Sequence, residues 1–296
     1  EEINRNRTNG AYLPDYVLNP ELSATAALDE AVRDADLVVM GVPSHSMRDT
    51  LAEVAKSIRP WVPVVSLAKG LEPESHLRMT EVIRQVLPDH PAGALSGPNL
   101  AKEIMAGYAA ASVIAFENPE IARQVQGVFH SGLFRVYTNN DVTGCELGGA
   151  LKNVIAIATG MGDGLGVGDN TRSAVITRGL AELTRLGVSM GGAPTTFSGL
   201  AGIGDLIATC TSRQSRNRHV GEELGRGQTI DEISAAMNQV AEGVKTTRVV
   251  MELAAKHDLD MPISNEVNGV LYEGRTAQDA YSGLTQRLPG SEQDPN

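Results

Sequence analysis

Five short runs rich in β-branched and small apolar residues recur between residues 36 and 140, with helical periodicity between them. This alternation constrains the fold more than any other feature. The runs are DLVVMGV (36–42), VPVVSLAKG (62–70), AGALSGP (92–98), ASVIAFEN (111–118) and FRVYTNN (134–140). The stretches around them, among them ALDEAVRDA, SHSMRDTLAEVAKSI, HLRMTEVIRQVL, NLAKEIMAG and PEIARQVQGVFH, place apolar residues three and four apart. Strands that alternate with such helices predict a parallel sheet wound by crossovers. Ligands of such sheets lie beyond the carboxyl ends of the strands. Three predicted strand exits, GVPS, LAKG and SGPN, combine Gly or Pro with polar residues, so the chain bends where a ligand is expected.

After residue 141 helical periodicity takes over through 273, with glycine-rich joints at GMGDGLGVGDN (160–170) and SMGGAP (189–194). The reading is an α/β domain over 1–140, an all-helical domain over 141–284 and a polar tail, 285–296, expected to be disordered. A hydrophobic fraction of 42% in 296 residues is enough for two cores. The net charge of −11 argues against nonspecific binding to nucleic acid or to anionic membranes. The two cysteines, Cys145 and Cys210, form no CxxC pair, which fits a reduced, cytoplasmic compartment. The six histidines show no metal-ligand spacing, so no metal is expected. No run of about 18 apolar residues suggests a membrane span.

Certain residues sit awkwardly in this frame. Lys152 and Asn153 interrupt GALKNVIAIATG, a run that otherwise reads as buried helix. Burying an ammonium costs several kcal/mol (roughly) unless it is paired or solvated. Lys152 therefore either snorkels to water or serves a cleft at the junction of the two domains. Lys69 closes a strand in SLAKGL, and two lysines facing one cleft would depress each other's pKa. In SGPNLAKEI, Gly97 permits close backbone approach and Asn99 reads as a helix N-cap. Asp205 lies among apolar neighbours in GLAGIGDLIATCTSRQSRNR and needs a partner, for which a buried lysine would serve. Downstream, Arg216, Asn217 and Arg218 form a basic knot suited to phosphate, or else an exposed helix start of mixed charge. Glu242 reads as a helix-start carboxylate that either favours the dipole or faces a ligand. His45, at another strand exit, is given no role.

Taken together, VPSHSMR, SLAKGLE, SGPNLAKEI, ELGGALKNVIAIATGMGDGLGVGDNTRSA, GLAGIGDLIATCTSRQSRNR and VAEGVKTT resemble, in order and across nearly the whole chain, the bacterial NAD(P)-dependent glycerol-3-phosphate dehydrogenases. The resemblance implies a Rossmann-type, doubly wound, mostly parallel sheet followed by an all-helical substrate domain. It implies interconversion of dihydroxyacetone phosphate and sn-glycerol 3-phosphate with NAD(P)(H), which supplies the phospholipid backbone. It implies catalytic roles for Lys152, Lys69 and Asp205, with Lys152 exchanging the proton at the C2 oxygen. Substrate contacts are implied for Lys69, Gly97, Lys152, Asn153, Asp205, Ser215, Arg216 and Asn217. Cofactor contacts are implied for Lys69, Ala101, Arg216, Val240 and Glu242. A cytoplasmic homodimer joined through the helical domain is also implied.

The family's opening strand and GxGxWG turn have no counterpart in these 296 residues. Residues 1–20, EEINRNRTNGAYLPDYVLNP, resemble the family's segment just downstream of that turn. The expectation is thus a sheet lacking its first βαβ portion, a unit of about 30 residues or more, with an unpaired edge. Two other readings stand beside the enzyme. One is a truncated, non-catalytic sugar-phosphate binder. The other is a related two-domain hydroxyacid dehydrogenase.

Overall fold

A computed structural model describes residues 1–237 and 241–286. The order begins with α1 (Glu2–Asn6), α2 (Leu28–Val32), β1 (Val38–Met40), α3 (Met47–Val54), β2 (Val64–Ser66), α4 (Met79–Val86) and β3 (Ala92–Ser96). It continues with α5 (Ala101–Met105), β4 (Ala110–Phe116), α6 (Pro119–Phe129) and β5 (Phe134–Asn139). Each strand falls within one of the five predicted runs, β4 beginning one residue ahead of its run. The sheet order is β1-β2-β3-β4-β5. β1 pairs parallel to β2, β2 to β3, and β4 to β5.

The exception is β4, which runs antiparallel to β3, with Ser96 opposite Val113. The sequence pattern suggests crossovers throughout. The link from β3 to β4 holds only the five residues of α5, bounded by Gly97 (φ 118°) and Gly107 (φ 79°). Both glycines take left-handed backbone that other residues resist. A returning parallel strand needs a longer, sheet-covering crossover. The chain instead doubles back, leaving α5 beside the strand ends.

Alternation along β2 sends Val64 to one face and Val65 to the other. Val64 joins Val38, Met47, Leu51, Val82 and Ile83, so α3 and α4 cover that face. Val65 joins Leu95, Ile114, Phe116 and Val125, with α6 on the opposite face. Fully burying a Leu or Ile side chain contributes about 1.5–3 kcal/mol, so these two clusters hold the strand ends in place.

The second half is helical: α7 (Val142–Leu165), α8 (Asp169–Ser189), α9 (Pro194–Phe197), α10 (Asp205–Thr211), α11 (Arg216–Gly225), α12 (Ile230–Ala236), α13 (Glu242–Lys256), α14 (Pro262–Tyr272) and α15 (Ala277–Gln286). The last helix takes in residues 285 and 286, which the sequence pattern assigns to the tail; 287–296 lie outside the described residues. α7 is the axis of this half. Asp141 caps its start by accepting from Gly144 N at 2.8 Å, and Gly166 (φ 78°) ends it. It is buried from Val142 to Met161 with few breaks, the pattern of a helix packed on all sides. A buried ion pair joins it to the sheet half. Glu146 accepts from Arg78 Nη1 at 2.7 Å and from Thr80 N at 2.8 Å. Among the described residues no helix is long and apolar enough to cross a membrane.

Candidate active site

The buried surroundings of α7 decide the question raised by Lys152. Its side chain cannot snorkel, because α7 has neighbours on every side, and Lys152 is 4% exposed. Its ammonium is satisfied internally. Nζ lies 3.2 Å from Asp205 Oδ1 and donates to Asn153 Oδ1 at 3.3 Å and to Thr209 Oγ1. Asp205 is equally buried. Its second oxygen, Oδ2, is 2.7 Å from Lys69 Nζ. One carboxylate is therefore shared by two ammonium groups, one from a strand exit and one from the helical half.

Local backbone brings the three together. Asp205 follows a single π-helical turn, Leu200–Gly204, an irregularity frequent at functional sites. That turn presses against α7 at Gly148, where an added Cβ would stand 2.5 Å from Ala201 O. Any larger residue at 148 would push Asp205 away from Lys152. Lys69 is steered from the other side, donating to Gly97 O at 2.8 Å and Asn99 Oδ1 at 2.9 Å. Asn99 is thus not the helix cap expected of it. Leu100 takes the N-cap position of α5 and makes no side-chain cap, while the Asn99 amide holds the lysine.

Burial pulls the Lys152 pKa down from 10.5 to about 8, with the Lys69 ammonium pulling the same way and the Asp205 carboxylate opposing both. A buried ammonium loses its hydration, which favours the neutral form. The shift moves Lys152 towards the range in which acid–base chemistry is efficient.

A relay of amides extends from this cluster. Asn153 Nδ2 donates to Lys69 O at 2.9 Å. Asn217 Nδ2 donates to Asn153 Oδ1 at 2.9 Å, and Gly243 N donates to Asn217 Oδ1 at 2.9 Å. The first turns of α11 and α13 therefore meet α7 beside Lys152. Two converging helix N-termini and two ammonium groups favour an anion. Ser215 caps α11, its Oγ accepting from Arg218 N at 3.2 Å.

The basic knot separates into unlike parts. Arg216 is exposed and makes no ion pair with any described residue. Arg218 is committed to Asp163, with Nη2 at 2.6 Å, and is not available to a ligand. Glu242 opens α13 and reaches back to the β1 exit, accepting from Ser44 N at 3.1 Å and Ser44 Oγ at 2.6 Å. Ala101, exposed, begins α5, and that helix touches the α10–α11 loop where Gln214 Nε2 donates to Glu103 Oε1 at 3.3 Å. Val240 lies outside the described residues. Thr209 is a site residue that the sequence reading misses, although it stands one helical turn after Asp205 and that spacing could have found it.

The strand exits and the helical half also meet away from Lys152. The exits of β1 and β2 meet α13 so closely that a Cβ on Gly70 would lie 2.7 Å from both Ser44 Oγ and Glu242 Oε2. Lys69 and Glu242 thus both stand at strand exits, Lys69 after β2 and Glu242 against the β1 exit at Ser44. The sequence holds no glycine-rich pyrophosphate turn of the GxGxxG kind.

Comparison with known proteins agrees with the geometry. Residues 1–122 match the family described as NAD-dependent glycerol-3-phosphate dehydrogenase N-terminus, and residues 141–282 match the corresponding C-terminus. The glycerol-3-phosphate dehydrogenase [NAD(P)+] 2 of Sphingopyxis alaskensis is 60% identical over 295 residues, covering 100% of this chain and 89% of that protein. A glycerol-3-phosphate dehydrogenase [NAD(P)+] of Mycobacterium avium is 56% identical, over 99% of this chain and 86% of its own length. Among solved structures, glycerol-3-phosphate dehydrogenase from Coxiella burnetii superposes with a TM-score of 0.93 at 37% identity, covering 97% of this chain and 88% of that one. A ketopantoate reductase from Ralstonia eutropha, at 14% identity and a TM-score of 0.54, shares the fold alone.

Proposed function

Because the chain belongs to the NAD(P)-dependent glycerol-3-phosphate dehydrogenases, an oxidoreductase family, we propose that it interconverts dihydroxyacetone phosphate and sn-glycerol 3-phosphate, with Lys152 moving the proton at the C2 oxygen. The observation that carries this reading is the buried Lys69–Asp205–Lys152 cluster. The coenzyme supplies the hydride to C2, or receives it, when bound. Lys69, Ala101, Arg216 and Glu242 are the residues assigned to hold it.

In the direction of reduction, negative charge grows on the C2 oxygen. The Lys152 ammonium stabilises that charge and gives up its proton. Its three N–H groups already face Asn153, Thr209 and Asp205. A substrate oxygen must replace one of these acceptors, and the 3.3 Å bond to Asn153 Oδ1 is the longest. Asp205 keeps Lys152 charged until transfer and holds Lys69 against the same ligand. The substrate phosphate lies at the first turns of α11 and α13, gripped by Arg216 with Ser215 and Asn217 beside it. Binding energy from the phosphate is thereby used to place C2. In oxidation the neutral Lys152 amine takes the hydroxyl proton.

The product is the backbone precursor of phospholipids, so the enzyme belongs to glycerophospholipid metabolism. The α/β half (1–140) acts as the coenzyme-side unit and the helical half (141–284) as the substrate unit, with two copies joined through the helical halves. Both cysteines are free and buried, which suits a reduced, cytoplasmic setting. The test is oxidation of NADH and NADPH with dihydroxyacetone phosphate, alongside a panel of 2- and 3-oxo acids. Faster turnover with an oxo acid than with the triose phosphate would overturn the assignment.

A further inference from the structure

α7 and α11 meet backbone to backbone. A Cβ on Gly160 would lie 2.0 Å from Arg218 O, and one on Gly221 would lie 2.0 Å from Ile157 O. The same contact repeats one turn on, between Gly164 and Glu222 O at 2.2 Å. Such stripes of small residues set how closely two helices approach. They offer little that stops one sliding along the other.

Beside the Asn217–Asn153 bond at the site end, a side chain supplies an axial lock farther along. The Asp163 side chain, on α7, is 6% exposed and accepts four N–H groups. Its Oδ1 takes Arg172 Nε at 2.9 Å and Nη2 at 2.7 Å from α8. Its Oδ2 takes Arg218 Nε at 2.7 Å and Nη2 at 2.6 Å from α11. Two guanidinium forks on one carboxylate fix direction as well as distance. Arg218 also approaches Glu222 of its own helix, at 3.5 Å. The Arg218 backbone N–H donates to Ser215 Oγ at 3.2 Å, so the first turn of α11 moves with Arg218.

We propose that Asp163 is a positioning residue for the substrate phosphate: through Arg218 it sets the register of α11 on α7, and so the place of Arg216 and Asn217 beside Lys152 and Asn153. The inference rests on the phosphate site assigned above. Asp163 stands eleven residues beyond Lys152 on one helix, about 16 Å away at 1.5 Å per residue. It does not touch the substrate. It acts because Lys152 and Arg216 sit on the two helices that it joins.

The experiment is calorimetric binding of sn-glycerol 3-phosphate to the full chain, with thermal unfolding measured in parallel. Asp163→Asn should weaken binding at least about tenfold, since misplacing a positioned group by about 1 Å can cost about 100-fold. Arg218→Lys, which keeps the charge and loses the fork, should weaken it similarly, and the double variant should bind no worse than the weaker single. Arg172→Gln removes the contact to the other oxygen. It should lower thermal stability yet leave the binding constant within about twofold, because α11 keeps its tie. Unchanged binding in Asp163→Asn and Arg218→Lys would overturn the inference, as would equal weakening in Arg172→Gln, which would mean general loosening. No binding by the unsubstituted chain would instead sink the proposed substrate, and the positioning role with it.

Discussion

Replacing Asp205 with asparagine removes the carboxylate shared by Lys152 and Lys69 while keeping the shape of the side chain. At 3.2 Å and an effective dielectric of about 20, the Asp205–Lys152 attraction amounts to about 5 kcal/mol. An asparagine carbonyl retains part of this as a neutral hydrogen-bond acceptor. Taking half as lost gives about 2.6 kcal/mol, or about two pKa units. Lys152, already lowered to about 8, should then titrate lower still, by a shift of that order. The sign comes from the mechanism. Reduction needs the protonated amine, so its rate falls as pH rises through the Lys152 pKa. At pH ~7.5 the protonated fraction drops from about three quarters to about 3%. The initial rate with saturating dihydroxyacetone phosphate should fall about 25-fold at that pH and recover by about pH 5.5. Oxidation of glycerol 3-phosphate needs the free amine and should rise through the same displaced midpoint. A variant whose profiles stay centred near 8 in both directions would refute the charge coupling, whatever its absolute rate.

The same geometry sets further outcomes. Arg216→Ala should raise the KM for dihydroxyacetone phosphate by at least about tenfold, as loss of a charge-assisted bond worth about 1.5–3 kcal/mol requires. It should move the melting temperature little, because Arg216 is exposed; an unchanged KM would remove it from the phosphate grip. Gly160→Ala would press a methyl against Arg218 O, 2.0 Å from its ideal position, and should destabilise by about 1–3 kcal/mol in chemical denaturation; a neutral result would show that α7 and α11 can part at no cost.

Much of the architecture can be read from residue patterns. All five strands are visible because β-branched or small apolar residues cluster in VVM, VVS, AGALS, ASVIAF and FRVYTN. The reversal of β4 is not, because strand direction depends on where α5 packs, and SGPNLAKEIMAG looks like an ordinary crossover. In the site, Lys152, Asp205 and Lys69 stand out because charge in apolar or strand-end surroundings demands a partner. Their sharing of one carboxylate cannot be read, since it depends on the π turn and Gly148 bringing residue 205 against α7. Arg216 and Arg218 look equivalent in SRNR. Only helix geometry separates the exposed one from the one turned towards Asp163. Asn99 fits a capping pattern, yet a nearby ammonium is the stronger claimant for its amide oxygen.

The measurement that tests the central claim most directly is turnover by Lys152→Met, read together with calorimetric binding of glycerol 3-phosphate. Methionine keeps the apolar stem among the α7 core residues and removes the proposed proton carrier. The account predicts that turnover in both directions falls by about 10²–10⁴-fold, the range typical of a lost general acid–base, and that the fold is retained. It also predicts that glycerol 3-phosphate still binds, through Arg216 and the converging helix ends. Turnover close to that of the unsubstituted chain would contradict it and assign the proton to another group.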